Sequence, residues 1–160
     1  MICGNDLGFL DELQRLAREH ALDGRVTFLG PIFGAEKSSA YRAADLFVIP
    51  SRFDTMTIVA LEAAAMGAPV LLTKQCDFGE LEEAGGGLAV EASEDGLEHG
   101  LRTMLADPAR LGETGRRASE FVSSHYRWSH TCDAFIAVFR AAARANPGSG
   151  AGRPRVPGPL

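Results

Sequence analysis

The segment from residue 44 to residue 70 joins a buried strand, a short polar loop and a glycine-terminated helix. The strand is the apolar run Leu46–Ile49, which Pro50 ends. The helix is predicted to begin near Met56 and to end at Gly67, the residue type that most often closes helices. In α/β proteins such a unit places helix amides at the carboxyl end of a parallel strand, where ligands bind. The unit therefore predicts an α/β fold with a ligand site in the loop.

Two carboxylates belong to this unit, Asp54 in the loop and Glu62 inside the helix. If the whole stretch between them is helical, they lie about 12 Å apart, at about 1.5 Å of rise per residue. That separation is too long for one shared proton or metal ion, and it suits the two ends of an elongated ligand. Free amides and the helix dipole attract phosphate at the helix start, and carboxylates accept hydrogen bonds from sugar hydroxyls. The predicted ligand is therefore phosphorylated and rich in hydroxyls, as a nucleotide-sugar is.

Both acids also have a purely structural explanation. Asp54 can cap the helix, since aspartate is a preferred capping residue, and Glu62 can be an ordinary exposed helix residue. Glu62, however, has apolar neighbours on both sides, Val59–Leu61 and Ala63–Ala65. A lone acid in such a helix favours a ligand role for Glu62, whereas Asp54 stays open between a cap and a ligand contact.

The segment resembles the donor-binding core of the retaining group 1 glycosyltransferases, which have the GT-B fold. Their pattern is a strand ending in Pro-Ser, then Glu-Gly-Phe-Gly, then Glu-Ala-Met-Ala-x-Gly-x-Pro-Val. This chain carries Ile49–Ser51, Asp54–Thr57 and Glu62–Val70 at the same spacing. Upstream, Gly24–Gly30 matches the family's Arg-Val-x-Phe-Leu-Gly strand, and the resemblance covers about residues 1–144.

The resemblance implies a role for each matching position. Glu62 would hold the ribose hydroxyls, and Asp54 would contact the donor sugar. The amides of residues 55–57 would approach the diphosphate and sugar, and the turn at residues 30–32 would lie beside the base. The implied donor-binding set is Gly30, Pro31, Ile32, Ser51, Asp54, Thr55, Met56, Thr57 and Glu62.

Three departures from the family pattern bear on how a donor could bind. Asp54 replaces a glutamate and so reaches one methylene less far. Thr55 and Thr57 replace glycines, which removes the freedom for positive φ and close backbone approach. Either the donor sits differently, or the chain belongs to a subgroup with its own loop.

Composition narrows the class of protein. A chain of 160 residues with 46% hydrophobic residues predicts a globular domain with a sizeable core. The net charge of -5 argues against a nucleic-acid binder, and no apolar run is long enough to span a membrane. Three widely spaced cysteines without a Cys-x-x-Cys motif indicate reduced thiols in a cytoplasmic protein. No Cys/His set has metal-ligand spacing, so neither a metal nor a cofactor is expected.

Helical and strand patterns alternate along the chain, which predicts parallel strands with helices on both faces. The resemblance implies that this Rossmann-like parallel sheet is one half of a GT-B fold. Residues 1–145 would form the nucleotide-sugar-binding domain, and the Pro-, Gly- and Ser-rich residues 146–160 a disordered tail. The predicted strands are Val26–Leu29, Leu46–Ile49, Val70–Thr73 and Leu88–Val90, with the tail of another at Ile2–Cys3. The predicted helices are Leu7–Leu22, Glu36–Ala44, Met56–Met66, Gly79–Ala84, Leu97–Leu105, Ala109–Ser123 and Ser129–Ala145.

The resemblance further implies that the chain is truncated at its start. An earlier strand and helix and a whole N-terminal acceptor domain would precede it, and the catalytic residues are expected there, so none is assigned here. Peripheral membrane contact would also run through that domain.

The expected function is the donor-binding half of a retaining glycosyltransferase, which moves a sugar from a nucleoside diphosphate to a hydroxyl acceptor. We expect this chain alone to be inactive. Two alternatives are an epimerase-like GT-B enzyme with the same donor site, and a non-catalytic nucleotide-binding or assembly module.

Overall fold

The computed structural model describes residues 1–54 and 57–145. Contacts divide the chain into two compact units that meet between Phe121 and Val122. The strands are β1 (Ile2–Cys3), β2 (Phe28–Gly30), β3 (Phe47–Ile49), β4 (Val70–Thr73) and β5 (Gly87–Val90). The helices are α1 (Leu10–Glu19), α2 (Gly34–Ala43), α3 (Ile58–Ala65), α4 (Gly79–Glu83), α5 (Glu94–Leu105), α6 (Pro108–His125) and α7 (Trp128–Ala145). The predicted tail, residues 146–160, lies outside the described residues.

The core is a three-stranded parallel sheet with the order β3-β4-β5. Phe47 lies opposite Val70 and Ile49 opposite Leu72, so β3 and β4 pair without a register shift. All four residues of β4 are buried, as expected of a central parallel strand covered on both faces. The parallel α/β fold predicted from the sequence is confirmed, and the ends of the elements differ from the predicted ones by a few residues.

The strands are nevertheless divided between two sheets. β1 and β2 form a separate parallel pair in which Ile2 lies opposite Phe28. Within residues 1–54 and 57–145, no strand pairing joins this pair to β3. β1 contains two residues, both exposed, so it buries little apolar surface that could fix it to the larger sheet. Sequence alternation alone predicts one sheet and does not reveal this division.

The C-terminus of α3 is closed by a left-handed glycine, as predicted. Gly67 has a φ of 83°, its N–H donates to the Ala64 carbonyl at 3.0 Å, and the Ala68 N–H donates to the Ala63 carbonyl at 3.0 Å. These two bonds define the Schellman motif, and they satisfy carbonyls that the helix leaves open. The described part of α3 begins at Ile58 after the N-cap Thr57. The predicted start at Met56 lies outside the described residues.

Helix α6 packs against this same end of α3. The Ser119 hydroxyl donates to the Ala65 carbonyl at 3.4 Å. Gly115 is buried, and a Cβ at this position would lie 2.2 Å from the Gly67 carbonyl oxygen. Such a distance is far inside van der Waals contact, so only glycine allows the two backbones to approach this closely. The packing holds α3 in place from its C-terminal end.

The described helices include none that is both long enough and apolar enough to cross a lipid bilayer.

We predict that Gly115→Ala destabilises the chain by about 1–3 kcal/mol, because the added methyl overpacks a backbone contact. Gly112→Ala is the matched control, since it lies in the same helix with nothing within 4 Å of its Cβ position. It should stabilise the chain by about 0.4–1 kcal/mol through the lower entropy of the unfolded state. Urea unfolding followed by circular dichroism measures both, and equal effects of the two substitutions would contradict the packing described.

Candidate functional site

Glu62 projects from α3 toward α2, and its two carboxylate oxygens have different donors. Oε1 accepts a hydrogen bond from the Lys37 ammonium at 2.7 Å. Oε2 accepts one from the Tyr41 hydroxyl at 3.1 Å. The side chains of Lys37 and Glu62 are about one-third exposed, at 31% and 36%. Glu62 is therefore neither a surface residue in bulk water nor a closed core residue.

The spacing of the two donors explains why both reach Glu62. Lys37 and Tyr41 are four residues apart on α2, so they lie on the same face of that helix. Tyr41 is buried, and its ring contacts the Phe47 ring edge to face with centroids 5.1 Å apart. Tyr41 is thus a fixed donor, whereas Lys37 is a long side chain that folds over the carboxylate.

The protonation of Tyr41 follows from this environment. Burial of the hydroxyl raises the pKa of Tyr41 to about 12, and the Glu62 charge and the hydrogen bond to Glu62 act in the same direction. At neutral pH the phenol is protonated and donates to Glu62. The Cys3 thiol, at the end of β1, is the smallest of these causes and acts in the same direction on the pKa of Tyr41.

The Glu62 carboxylate keeps capacity for a ligand. A carboxylate has about four lone-pair positions, two on each oxygen. Lys37 occupies one position on Oε1 and Tyr41 one on Oε2. Among the described residues no other side chain donates to these oxygens, so one acceptor position remains on each, which is the capacity needed to receive two hydroxyl groups.

The N-terminus of α3 lies four residues before Glu62. Among the described residues, which leave out residues 55 and 56, no atom accepts a hydrogen bond from the backbone N–H of Ile58 or Val59, and these two groups are called the open amides of α3. The Ile58 side chain is 70% exposed and Ala60 is buried, so one side of the first turn faces solvent. Thr57 is buried, and its carbonyl accepts from the Ala60 N–H at 3.1 Å, which starts the helix. This end of α3 has the donors and the dipole direction that an anion requires.

The loop before α3 is built by its own side chains. The Ser51 hydroxyl donates to the Phe53 carbonyl at 3.1 Å and accepts from the Phe53 N–H at 3.3 Å. The buried Thr73 hydroxyl, at the end of β4, donates to the Ser51 carbonyl. Ser51, a predicted ligand contact, therefore uses its hydroxyl to shape the loop. Asp54 is half-buried at the last described position of this loop.

Two predicted contacts in the same loop, Thr55 and Met56, lie outside the described residues. Asp54 itself is outside α3, so the stretch from Asp54 to Glu62 is not one continuous helix. The condition for a separation of about 12 Å is therefore not met. α3 is also not capped by Asp54: its N-cap is Thr57, and no side-chain cap bond forms there.

The predicted base-contact turn borders a cleft of about 400 Å³. Gly30 and Pro31 line this cleft together with Cys3, whereas Ile32 and Glu62 do not line it. Gly30 has a φ of 67°, and its carbonyl accepts from the Gly4 N–H at 3.0 Å, which joins the ends of β2 and β1. Cys3, at the end of β1, thus lies in the wall of the same cleft as the turn of Gly30 and Pro31.

The sequence analysis missed two residues of this site, Lys37 and Tyr41. Their i,i+4 spacing shows that they share a helix face, but only the packing of α2 on α3 identifies Glu62 as their partner. Across residues 1–54 and 57–145, no cluster of three or more His, Cys, Asp or Glu side chains could hold a metal ion.

Comparison with known proteins identifies relatives of this arrangement. The family model described as "Glycosyl transferases group 1" matches residues 1–107. The D-inositol 3-phosphate glycosyltransferase of Rhodococcus erythropolis is 33% identical over 92% of this chain and 34% of its own length. The enzyme of the same name from Nocardia farcinica is 36% identical over 94% of the chain and 34% of its own length. The chain thus spans about one third of the length of the curated relatives it matches.

Solved structures of glycosyltransferases and related enzymes superpose on this chain. A sucrose-phosphate synthase from Thermosynechococcus elongatus superposes with a TM-score of 0.76 and 28% identity, covering 89% of this chain and 37% of the synthase. The C-terminal domain of a group 1 glycosyltransferase from Francisella tularensis superposes with a TM-score of 0.68 and 27% identity, covering 77% of this chain and 65% of that domain. The chain belongs to the group 1 glycosyltransferase family.

Proposed function

We propose that this chain is the donor-binding part of a retaining glycosyltransferase that uses a nucleoside diphosphate sugar. The observation that carries the proposal is the Glu62 carboxylate, which is partly exposed, held by Lys37 and Tyr41, and left with two open acceptor positions. It lies one helical turn from the open amides of α3. A hydroxyl-binding acid beside an anion-binding helix end is the arrangement that a nucleotide requires.

The ligand would lie along this edge of the fold. The ribose hydroxyls donate to Glu62, and the diphosphate accepts from the amides at the start of α3. The base lies at the turn of Gly30 and Pro31, which lines the cleft of about 400 Å³, and Asp54 faces the donor sugar. Preorganised amides need no reorganisation when the diphosphate departs, which is how such a site lowers the barrier for transfer. We propose that these amides, together with basic groups, balance the diphosphate charge without a metal ion.

The names of the relatives support a donor-side role. One group is named for D-inositol 3-phosphate and a structural neighbour for sucrose phosphate, yet the chain matches both over most of its own length. A region shared by enzymes with different names is suited to a step that does not depend on those differences, and we propose that this step is holding the donor. We propose that the remaining two thirds of the protein supply the acceptor side.

We predict that Glu62→Ala lowers nucleoside diphosphate affinity by about ten- to a hundredfold, the loss expected when hydrogen bonds to a charged acceptor disappear. Titration calorimetry with UDP, GDP and ADP at millimolar concentrations measures the effect. Glu98→Ala is the matched control, since Glu98 pairs with Arg102 on the exposed face of α5 and should not affect binding. Equal affinities of wild type and Glu62→Ala would remove the ribose role from Glu62.

We predict that the purified 160-residue chain binds the donor weakly and transfers no sugar. Donor positioning is only one side of a bimolecular reaction, and the acceptor must be held as well. Incubation with a radiolabelled nucleotide-sugar, followed by separation of free from transferred sugar, tests this. Transfer by the chain alone would contradict the prediction, whereas release of an epimerised free sugar would favour the epimerase-like alternative.

A further inference from the structure

Both oxygens of Glu62 are held by a single helix, α2. Tyr41 contacts Oε2 and Lys37 contacts Oε1. We propose that Lys37 and Tyr41 are positioning residues that orient Glu62 toward two vicinal hydroxyls, so that the chain discriminates ribonucleotides from 2′-deoxyribonucleotides. The inference rests on the proposed function, because it assumes that Glu62 receives the ribose.

The rigidity of Tyr41 is the first step of the argument. Its ring is buried and packs edge to face on Phe47 of β3, so its hydroxyl occupies a fixed place relative to the sheet. Glu62 is on the exposed side of α3, whose opposite side buries Ala60, Ala63 and Ala64. A glutamate in that position would sample several rotamers in water. The hydroxyl of Tyr41 selects the rotamer that directs the carboxylate to α2.

The stoichiometry of hydrogen bonds is the second step. Each carboxylate oxygen has about two acceptor positions, and Lys37 and Tyr41 each use one on a different oxygen. The two open positions lie on two oxygens of one planar group. This geometry matches the 2′- and 3′-hydroxyls of ribose, which are adjacent, and a 2′-deoxy sugar leaves one acceptor unfilled.

The charge of Lys37 is the third step. Its ammonium lies 2.7 Å from Oε1, and the Lys37 side chain is only 31% exposed, so the ammonium partly neutralises Glu62 beside the place proposed for an anionic ligand. Without Lys37, the carboxylate would repel the diphosphate that α3 is proposed to bind. Tyr41 thus orients the Glu62 carboxylate. Lys37 also orients this carboxylate, and it reduces the repulsion between Glu62 and the diphosphate.

The test compares paired ligands on variants that keep the fold. Tyr41→Phe removes the hydroxyl and retains the ring on Phe47, and Lys37→Met removes the charge and retains the stem. Calorimetry is run with whichever of UDP, GDP and ADP the wild type binds most tightly, and with its 2′-deoxy counterpart. Tyr126→Phe is the control for Tyr41→Phe, because it makes the same change in the other compact unit. Arg102→Met is the control for Lys37→Met, because it removes the positive charge of an exposed ion pair within a helix.

The expected result is a loss of discrimination. Ordering a free side chain on binding costs about two- to tenfold in affinity, so Tyr41→Phe should weaken the ribonucleotide by about that factor. The 2′-deoxy ligand should weaken by less than about twofold, because it already lacks one of the two bonds. Lys37→Met should weaken both ligands through the lost charge and reduce their ratio as well. Both controls should keep the wild-type ratio.

The outcomes separate the two proposals. If the wild type binds a nucleoside diphosphate and Tyr41→Phe and Lys37→Met leave the ribo-to-deoxy ratio unchanged, the positioning inference fails and the proposed function stands. If the wild type binds none of the three, the proposed function fails and the inference fails with it. If Tyr41→Phe does not fold, as seen by circular dichroism, Lys37→Met decides, since its stem remains on the surface of α2.

A measurement without ligand tests the contact itself. Tyr126→Phe leaves Tyr41 as the single tyrosine, so tyrosinate absorbance reports its titration alone. The midpoint should lie near pH 12 and fall toward the ordinary value of about 10 when Glu62→Gln is added. The fall should be partial, because burial, the largest cause of the raised pKa, remains, as does Cys3. A midpoint insensitive to Glu62→Gln would overturn the inference.

Discussion

The hydrogen bond between Tyr41 and Glu62 joins the two elements on which the candidate site depends. α2 follows the turn that borders the cleft, and α3 carries the open amides. With Tyr41 packed on Phe47, the bond ties both helices to the edge strand β3. A partly buried charge needs such partners, because an unpaired carboxylate away from water is costly. The site residues therefore act as one unit rather than as separate contacts on a loop.

The position of the α3 axis is constrained by the small residues of α3 and α6. Three alanines of α3 are fully buried, and Gly115 lets α6 approach the carbonyl of Gly67. Close backbone packing on one side fixes the axis of α3, so its N-terminal amides and Glu62 are presented in a constant direction on the other side. The short side chains of this helix thus serve the site even though they contact no ligand.

Local signals in the sequence predicted much of this fold. The short apolar run Val70–Thr73 predicted the central strand. Gly67, followed by Pro69, predicted the end of α3. Glu62 was a candidate because its neighbours are apolar and because it occupies the position of the second acid in the family pattern. The partners of Glu62, and the separation of β1 and β2 from the larger sheet, depend on contacts between distant residues. Periodicity carries no information about such contacts, which is why Lys37 and Tyr41 were missed.

The two acids of the family pattern also differ in how far the fold constrains them. Glu62 lies inside α3, whose axis is fixed by its buried face and by its C-terminus. The freedom left to Glu62 is its choice of rotamer, and the hydrogen bonds from α2 restrict that choice. Asp54 lies in the loop, before the first helical residue, where Ser51 and Thr73 fix the backbone up to Phe53. If Glu62 receives the ribose and Asp54 the donor sugar, as proposed, the ribose shared by all nucleoside diphosphate sugars meets the residue that the helices hold, and the variable sugar meets the loop.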